Sequence, residues 1–216
     1  MSADRMMKGA EAKIRILVAD DHPVVREGIR GYVAVQPDIM VVAEATNGRE
    51  AIAQFRVHRP DVTVMDLKMP EMSGIDAVSA IRAEFPDAKV IILTTYAGDV
   101  QILRALKAGA QGYILKAQLH RELPDRIRAV YAGRKVMDPE AAAQLAEHSG
   151  EEALTHKELE VLRLIAAGNA NKKIAAHLAI SEESVKSRVK NILDKLGARD
   201  RTHAVTAALK RGIVDL

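Results

Sequence analysis

Residues 14–21 read IRILVADD, six residues that are apolar but for one arginine and an alanine end, closed by two aspartates. Two further runs have the same form: VTVM at 62–65 ahead of Asp66, and VIIL at 90–93 ahead of Thr94 and Thr95. A short run that is apolar without alternation is what a strand needs when both of its faces are covered, as in a parallel sheet between helices. Weaker runs at Ile39–Ala43 and Gly112–Leu115 complete a set of five, each followed by helical spacing. Strands alternating with helices read as βαβ units, so residues 13–133 are expected to form a doubly wound α/β domain around a five-stranded parallel sheet.

The intervening helices carry their own punctuation. Asn47 with Glu50 three residues on reads as a cap ahead of Ala51, Ile52 and Phe55 on one face. Ile75, Val78 and Ile81 mark the next helix, and Ile102, Leu103 and Leu106 the one that Gly109 ends. The fifth is expected near Glu122–Ala132, with Pro124 in its first turn and Gly133 just past its end.

Beyond this domain the pattern changes. Residues 134–152 read as a linker, acidic and partly helical over Glu140–Glu147, and residues 153–216 as four short helices. Thr155 and Glu158 form a capping box, Gly168 ends the first of these helices, and Asn171 is placed to cap the second. Ser181 caps the third, which Gly197 closes, and Asp200 caps the fourth, which stops at Gly212. Only Ala179–Ser181 separates the second helix from the third, the spacing of a helix-turn-helix.

Three aspartates fall where strands run out: Asp20 and Asp21 after the first, Asp66 after the third. In an open parallel sheet the crevice at the carboxyl ends, where strand order reverses, is the default ligand site. Carboxylates converging there repel one another unless a cation joins them, and hard oxygen donors suit Mg²⁺. The competing reading is that loop aspartates merely cap the next helices. Thr94, Thr95 and Lys116 reach the same rim with a hydroxyl and an ammonium, the donors that phosphoryl transfer to a carboxylate requires.

With DD at 20–21, DLKMPEMSG from Asp66, LTTY around Thr94 and GYILK ending at Lys116, residues 13–133 resemble the receiver domain of two-component response regulators. The resemblance implies a CheY-like, flavodoxin-like fold with Asp66 as phospho-acceptor. It implies Mg²⁺ held by Asp20, Asp21, Asp66 and the backbone carbonyl of Lys68, with Lys116 pairing the phosphoryl group. Thr94 would be the switch hydroxyl, with Thr95 as an alternative, and Tyr113 the switch aromatic that turns inward on phosphorylation. Tyr113 read without the resemblance is a half-buried strand residue.

On the third C-terminal helix Val185, Val189, Ile192 and Leu196 make one apolar stripe, with Lys186, Ser187 and Lys190 away from it. Such a helix, buried on one side and basic on the other, suits the DNA major groove. LTHKELEVLRLIAAG, NKKIAAHL and ISEESVKSRVKNILDKLGARDR resemble the LuxR-type domain of the NarL/FixJ subfamily over residues 153–216. That resemblance implies Lys186, Ser187 and Lys190 at base edges, and Lys172, Ser181, Ser184, Arg188 and Lys195 mainly at phosphates. It also implies a dimer contact through Ala204, Val205, Ala208 and Leu209 on the fourth helix and an inverted-repeat operator; packing of that stripe within its own domain is the alternative.

Charge agrees with this division: the chain carries 32 basic and 29 acidic residues, and residues 153–216 hold 12 basic against 7 acidic. A basic unit behind a nearly neutral body points to a polyanion partner. With no cysteine, thiolate metal sites, thiol nucleophiles and disulfides are excluded, and a reducing cytoplasm fits. No apolar run approaches the roughly 18 residues of a membrane span. Residues 1–12 lack the apolar core of a signal peptide and read as a flexible tail, in which Met6 or Met7 is an alternative start. HExxH, Walker, GxSxG and GxGxxG motifs are missing, and the seven histidines look ordinary.

The sequence therefore predicts a cytoplasmic phosphoryl acceptor, not a turnover enzyme. Its partners would be a sensor histidine kinase, double-stranded DNA and, when phosphorylated, a second copy of itself, with no membrane partner. Two other readings compete: a transcription factor with a vestigial receiver, and a haloacid-dehalogenase-like phosphohydrolase. The intact acidic pair, Asp66, Thr94 and Lys116 disfavour the first. The second expects DxDx[TV], whereas Lys68 stands two residues past Asp66.

Overall fold

The structure is a computed structural model and describes residues 13–95, 98–148 and 150–214. The chain divides into two compact units, one of residues 1–95 with 104–138, the other of 96–103 with 139–216.

The first unit is built on a parallel sheet of β1 (Ile14–Ala19), β2 (Ile39–Ala45), β3 (Val62–Asp66), β4 (Val90–Thr94), β5 (Gly112–Leu115) and β6 (Val136–Met137), in the order β2-β1-β3-β4-β5-β6. The five expected strands are present and a sixth is added. Val136 and Met137 pair with Gly112 and Tyr113, so the sheet extends past residue 133, where the sequence placed the domain's end. Around it lie α1 (Pro23–Ala34), α2 (Gly48–His58), α3 (Gly74–Glu84) and α5 (Leu119–Tyr131), while α4 (Asp99–Lys107) is divided between the two units.

Both faces of the sheet are covered, as the continuous apolar runs require. Ile14, Ile16 and Val18 of β1 share one core with Ile29 and Val33 of α1 and with Leu123, Ile127 and Val130 of α5. Leu17, Met65 and Ile92, alternating to the opposite face, are fully buried as well. Local chemistry sets the helix starts: Asn47 accepts a hydrogen bond from the Glu50 N–H, and Ser73 from the Asp76 N–H. Pro124 departs from expectation. A 3₁₀ turn at Lys116–Gln118 leads directly from β5 into α5, so the helix starts at Leu119 and the proline lies inside it.

The second unit holds α6 (Pro139–Glu147), α7 (His156–Ala166), α8 (Asn171–His177), α9 (Glu182–Lys195) and α10 (Arg201–Lys210). Both halves of the Thr155–Glu158 capping box form, Ser181 accepts from the Ser184 N–H, and Asp200 accepts from the His203 N–H. Asn171 does not cap α8. It is the first helical residue, its side-chain oxygen lies 3.4 Å from the Arg201 guanidinium, and Ala170 stands at the cap position without a side-chain bond. Val161, Leu162, Ile165, Ile174, Val185, Ile192, Ala204 and Ala208 form the core.

Candidate functional sites

Strand order reverses between β1 and β3, which opens a crevice at their carboxyl ends. The β1–β3 register pairs Ala19 with Met65, so the next residues, Asp20 and Asp66, stand side by side. Pairing of Thr94 with Leu115 in turn sets Thr94 beside the start of the turn that carries Lys116. Asp20 is fully buried, and Asp66 and Thr94 nearly so. The Lys116 ammonium bridges the two carboxylates, 2.7 Å from Asp20 Oδ2 and 3.0 Å from Asp66 Oδ1.

Burial pushes the Asp66 carboxyl up to about 6; Lys116 opposes the rise and the charge of Asp20 adds to it. Burial alone would lower the Lys116 pKa, but its contacts with Asp20 and Asp66 outweigh that and hold it above the ordinary lysine value. Asp20, Asp21 and Asp66 against one ammonium leave two uncompensated negative charges in a poorly solvated rim. Asp20, Asp21, His22 and Asp66 each present a ligand atom, all within 4.8 Å of one another. An oxygen-rich set of this charge fits a hard divalent cation such as Mg²⁺.

Several residues that shape this rim went unremarked in the sequence. Arg26 donates to the Asp20 carbonyl at 2.7 Å and pairs with Glu44 at 3.2 Å, fixing the exit of β1. Gly74 permits a close backbone approach: its N–H donates to the Leu67 carbonyl at 3.0 Å, and a Cβ there would lie 1.9 Å from the Asp66 carbonyl oxygen. The signal available was its place directly after the Ser73 cap. His22 also departs from its ordinary reading, since Nδ1 lies 2.8 Å from Asp21 Oδ1 and 3.2 Å from Asp20 Oδ1.

Thr94 and Tyr113 share a side-chain hydrogen bond, and burial pushes the Tyr113 phenol well above its usual range. The ring is completely buried, not half-buried as a strand residue read alone suggests. Thr95, one residue past the strand, is exposed, and Lys68 is exposed in the loop after Asp66.

In the second unit the expected stripe of α9 packs inward: Val185 and Ile192 are buried, with Val189 and Leu196 partly so against the same core. Lys186, Ser187 and Lys190 are exposed on the same helix, as is Lys172 on α8, while Arg188 is half-buried. Ser181 and Ser184 are exposed at the start of α9 with their hydroxyls 2.9 Å apart.

Lys195 stands apart from this group. Its ammonium lies 3.0 Å from Glu158 and 3.1 Å from Glu152 and donates to the Ala153 carbonyl, which ties the end of α9 to the start of α7. The stripe expected to join two copies is only partly taken up within its own domain, since Val205 and Leu209 stay half-buried. Ala204 and Ala208 are buried in their own domain core, and Val205 and Leu209 pack against it. Thr202, His203, Thr206 and Lys210 form the exposed side of α10. An apolar stripe on a short helix has the same sequence signature whichever partner covers it.

Comparison with known proteins finds a match for each of the two units. Residues 16–128 match the family model described as the response regulator receiver domain, and residues 152–208 match that of bacterial regulatory proteins, luxR family. The chain is 39% identical over 206 residues to the response regulator protein VraR of Staphylococcus aureus, covering 93% of this chain and 99% of that one. Among solved structures, RcsB from Salmonella enterica serovar Typhimurium, bound to promoter P1flhDC in the presence of phosphomimetic BeF3-, is similar with a TM-score of 0.73. Identity there is 29%, over 90% of this chain and 97% of that one. The response regulator ChrA of a heme-sensing two-component system is 38% identical over 94% of this chain and all of its own, with a TM-score of 0.57.

Proposed function

The chain belongs to the two-component response regulators of the NarL/FixJ type, which join a receiver domain to a LuxR-type DNA-binding domain, and from that premise we propose that Asp66 accepts a phosphoryl group from a sensor histidine kinase. Phosphorylation then promotes self-association and DNA binding by the C-terminal domain. The observation that carries this reading is the Lys116 ammonium held between Asp66 and Asp20 at the carboxyl end of the sheet. We assign the receiver to residues 13–138, a connecting stretch to 139–152 and the DNA-binding domain to 153–216, the first boundary being moved by β6.

In the transfer an Asp66 carboxylate oxygen attacks phosphorus, a P–O bond forms, the donor's P–N bond breaks and the imidazole leaves. Asp20, Asp21, Asp66 and the Lys68 carbonyl would hold Mg²⁺, which when bound supplies charge neutralisation for the phosphoryl oxygens. Lys116 gives up its bridge to Asp66 and pairs with a phosphoryl oxygen. The Thr94 hydroxyl donates to another, and the exposure of Thr95 supports Thr94 in that role. Since Tyr113 is already inside, its expected inward turn gives way to the loss or re-aiming of its hydrogen bond with Thr94.

Lys186, Ser187 and Lys190 are assigned to base edges, with Lys172, Arg188 and the Ser181–Ser184 turn at phosphates. Lys195 is reassigned to the fold on the strength of its ion pairs. Self-association through Ala204 and Ala208 is withdrawn because both are buried. Among the described residues no helix is long and apolar enough to cross a membrane.

Intact mass and oligomeric state with a small phosphodonor, with and without Mg²⁺, test the reading. Wild type is expected to gain one phosphoryl group only with Mg²⁺ and to self-associate, and Asp66→Asn to gain none. Phosphate incorporation persisting on Asp66→Asn protein would overturn the assignment.

A further inference from the structure

The rim holds one side chain that the phosphoryl-acceptor reading leaves unused. His22 follows the acidic pair directly, its backbone N–H donates to Asp20 Oδ1 at 2.9 Å, and Pro23 opens α1 immediately behind it. The imidazole lies over the carboxylates with its side chain about two-thirds exposed.

The spacing of the ring nitrogen is informative. Neighbouring ligands of an octahedral ion with bonds of about 2.1 Å are separated by roughly 3.0 Å. Nδ1 stands 2.8 Å from Asp21 Oδ1 and 3.2 Å from Asp20 Oδ1, on either side of that edge length. It also belongs to the one His/Asp/Glu cluster of metal-binding compactness among the described residues, with Asp20, Asp21 and Asp66.

We propose that His22 is a nitrogen ligand of the rim that makes it a site for first-row transition cations, Co²⁺, Ni²⁺ or Zn²⁺, beyond the all-oxygen set suited to Mg²⁺. Imidazole is a good donor to these ions, whereas Mg²⁺ prefers carboxylate, carbonyl and water. The rim is then selective by occupant: His22 coordinates a transition ion and stands aside for Mg²⁺.

The inference rests on the rim being a cation site at all, and the test separates the two. Calorimetric titration of the full chain with Mg²⁺ and with Co²⁺ is compared for wild type, His22→Ala, His22→Gln and a control, His177→Ala, on the exposed end of α8. Loss of the ligand should weaken Co²⁺ binding by about tenfold or more, leave Mg²⁺ binding within about twofold because Mg²⁺ favours oxygen donors, and have no counterpart in the control. Equal Co²⁺ affinity in wild type and both His22 variants would overturn the proposal and leave the carboxylate rim standing. Failure of wild type to bind any of these ions would overturn both.

Discussion

Burial of Asp66 beside Asp20 makes its carboxylate costly in the folded protein, and the cost has a definite pH window. The folded carboxyl titrates near 6, above its ordinary value of 3.8, so the folded state holds the proton more tightly than the unfolded chain does. Stability therefore falls as pH rises from about 4 to about 6, and the deficit persists at higher pH. In metal-free buffer Asp66→Asn should be more stable than wild type at pH 7.5, on the order of 1–2 kcal/mol after allowing for the lost Lys116 contact. The gain should vanish near pH 4 and shrink when Mg²⁺ is added to wild type. Denaturant midpoints at the two pH values decide it; a variant no more stable than wild type at pH 7.5 would mean that Lys116 fully offsets the burial.

Between residues and elements, the tightest constraint at the rim is the return of the loop after β3 to the start of α3. A methyl at position 74 would fall 1.9 Å from the Asp66 carbonyl, a distance no rotamer change relieves because both partners are backbone. Gly74→Ala should cost about 2–4 kcal/mol and displace Asp66, seen as a lower unfolding midpoint together with slower phosphoryl uptake. Normal uptake in a fully stable variant would contradict the observed loop path. At the start of α7, Glu158 is held below its ordinary range: burial raises it, but the Thr155 N–H and Lys195 more than offset that. A depressed acid stabilises the fold above its unfolded value of about 4.5, and that support is lost as pH falls through the folded value. Glu158→Gln should thus cost about 1 kcal/mol at pH 7 through the weakened cap, with the difference narrowing below pH 4 in thermal scans of the C-terminal transition. Elements with strong periodicity or caps were legible in the sequence: β1, β3 and β4 by unbroken apolar runs, α7 and α9 by Thr155 and Ser181. The two-residue β6 was not, because Val136–Met137 is too short to show a period and is recruited only by pairing with β5. The side chains that meet at the rim, Asp20, Asp66 and Lys116, were legible by position at strand ends. Gly74 and Arg26 act through backbone contacts that only the folded loop brings together.

At the scale of the whole molecule, the basic excess that pointed to DNA overstates how many cations are free to meet it. Residues 153–216 hold 12 basic side chains, yet Lys195 is taken up by Glu158 and Glu152, Arg201 donates to the Asn169 carbonyl, and Arg211 pairs with Glu151. Structural pairing and phosphate contact look identical in a charge count, and they diverge in salt. Each phosphate neutralised adds roughly −0.9 to the slope of log affinity against log salt. Lys172→Ala should therefore weaken binding to all sequences alike and flatten that slope by about 0.9. Lys190→Ala, as a base contact, should cost about 1–3 kcal/mol on the preferred operator and reduce discrimination between operators. Lys195→Ala should leave the slope unchanged while lowering the unfolding midpoint of the C-terminal domain, since what it loses is the tie between α9 and α7. Salt titrations by fluorescence anisotropy, run beside thermal scans on the same three variants, separate these outcomes. A flattened slope for Lys195→Ala with an unaltered midpoint would return Lys195 to the phosphate contacts and remove the ion pairs with Glu158 and Glu152 from the account of how this domain is held together.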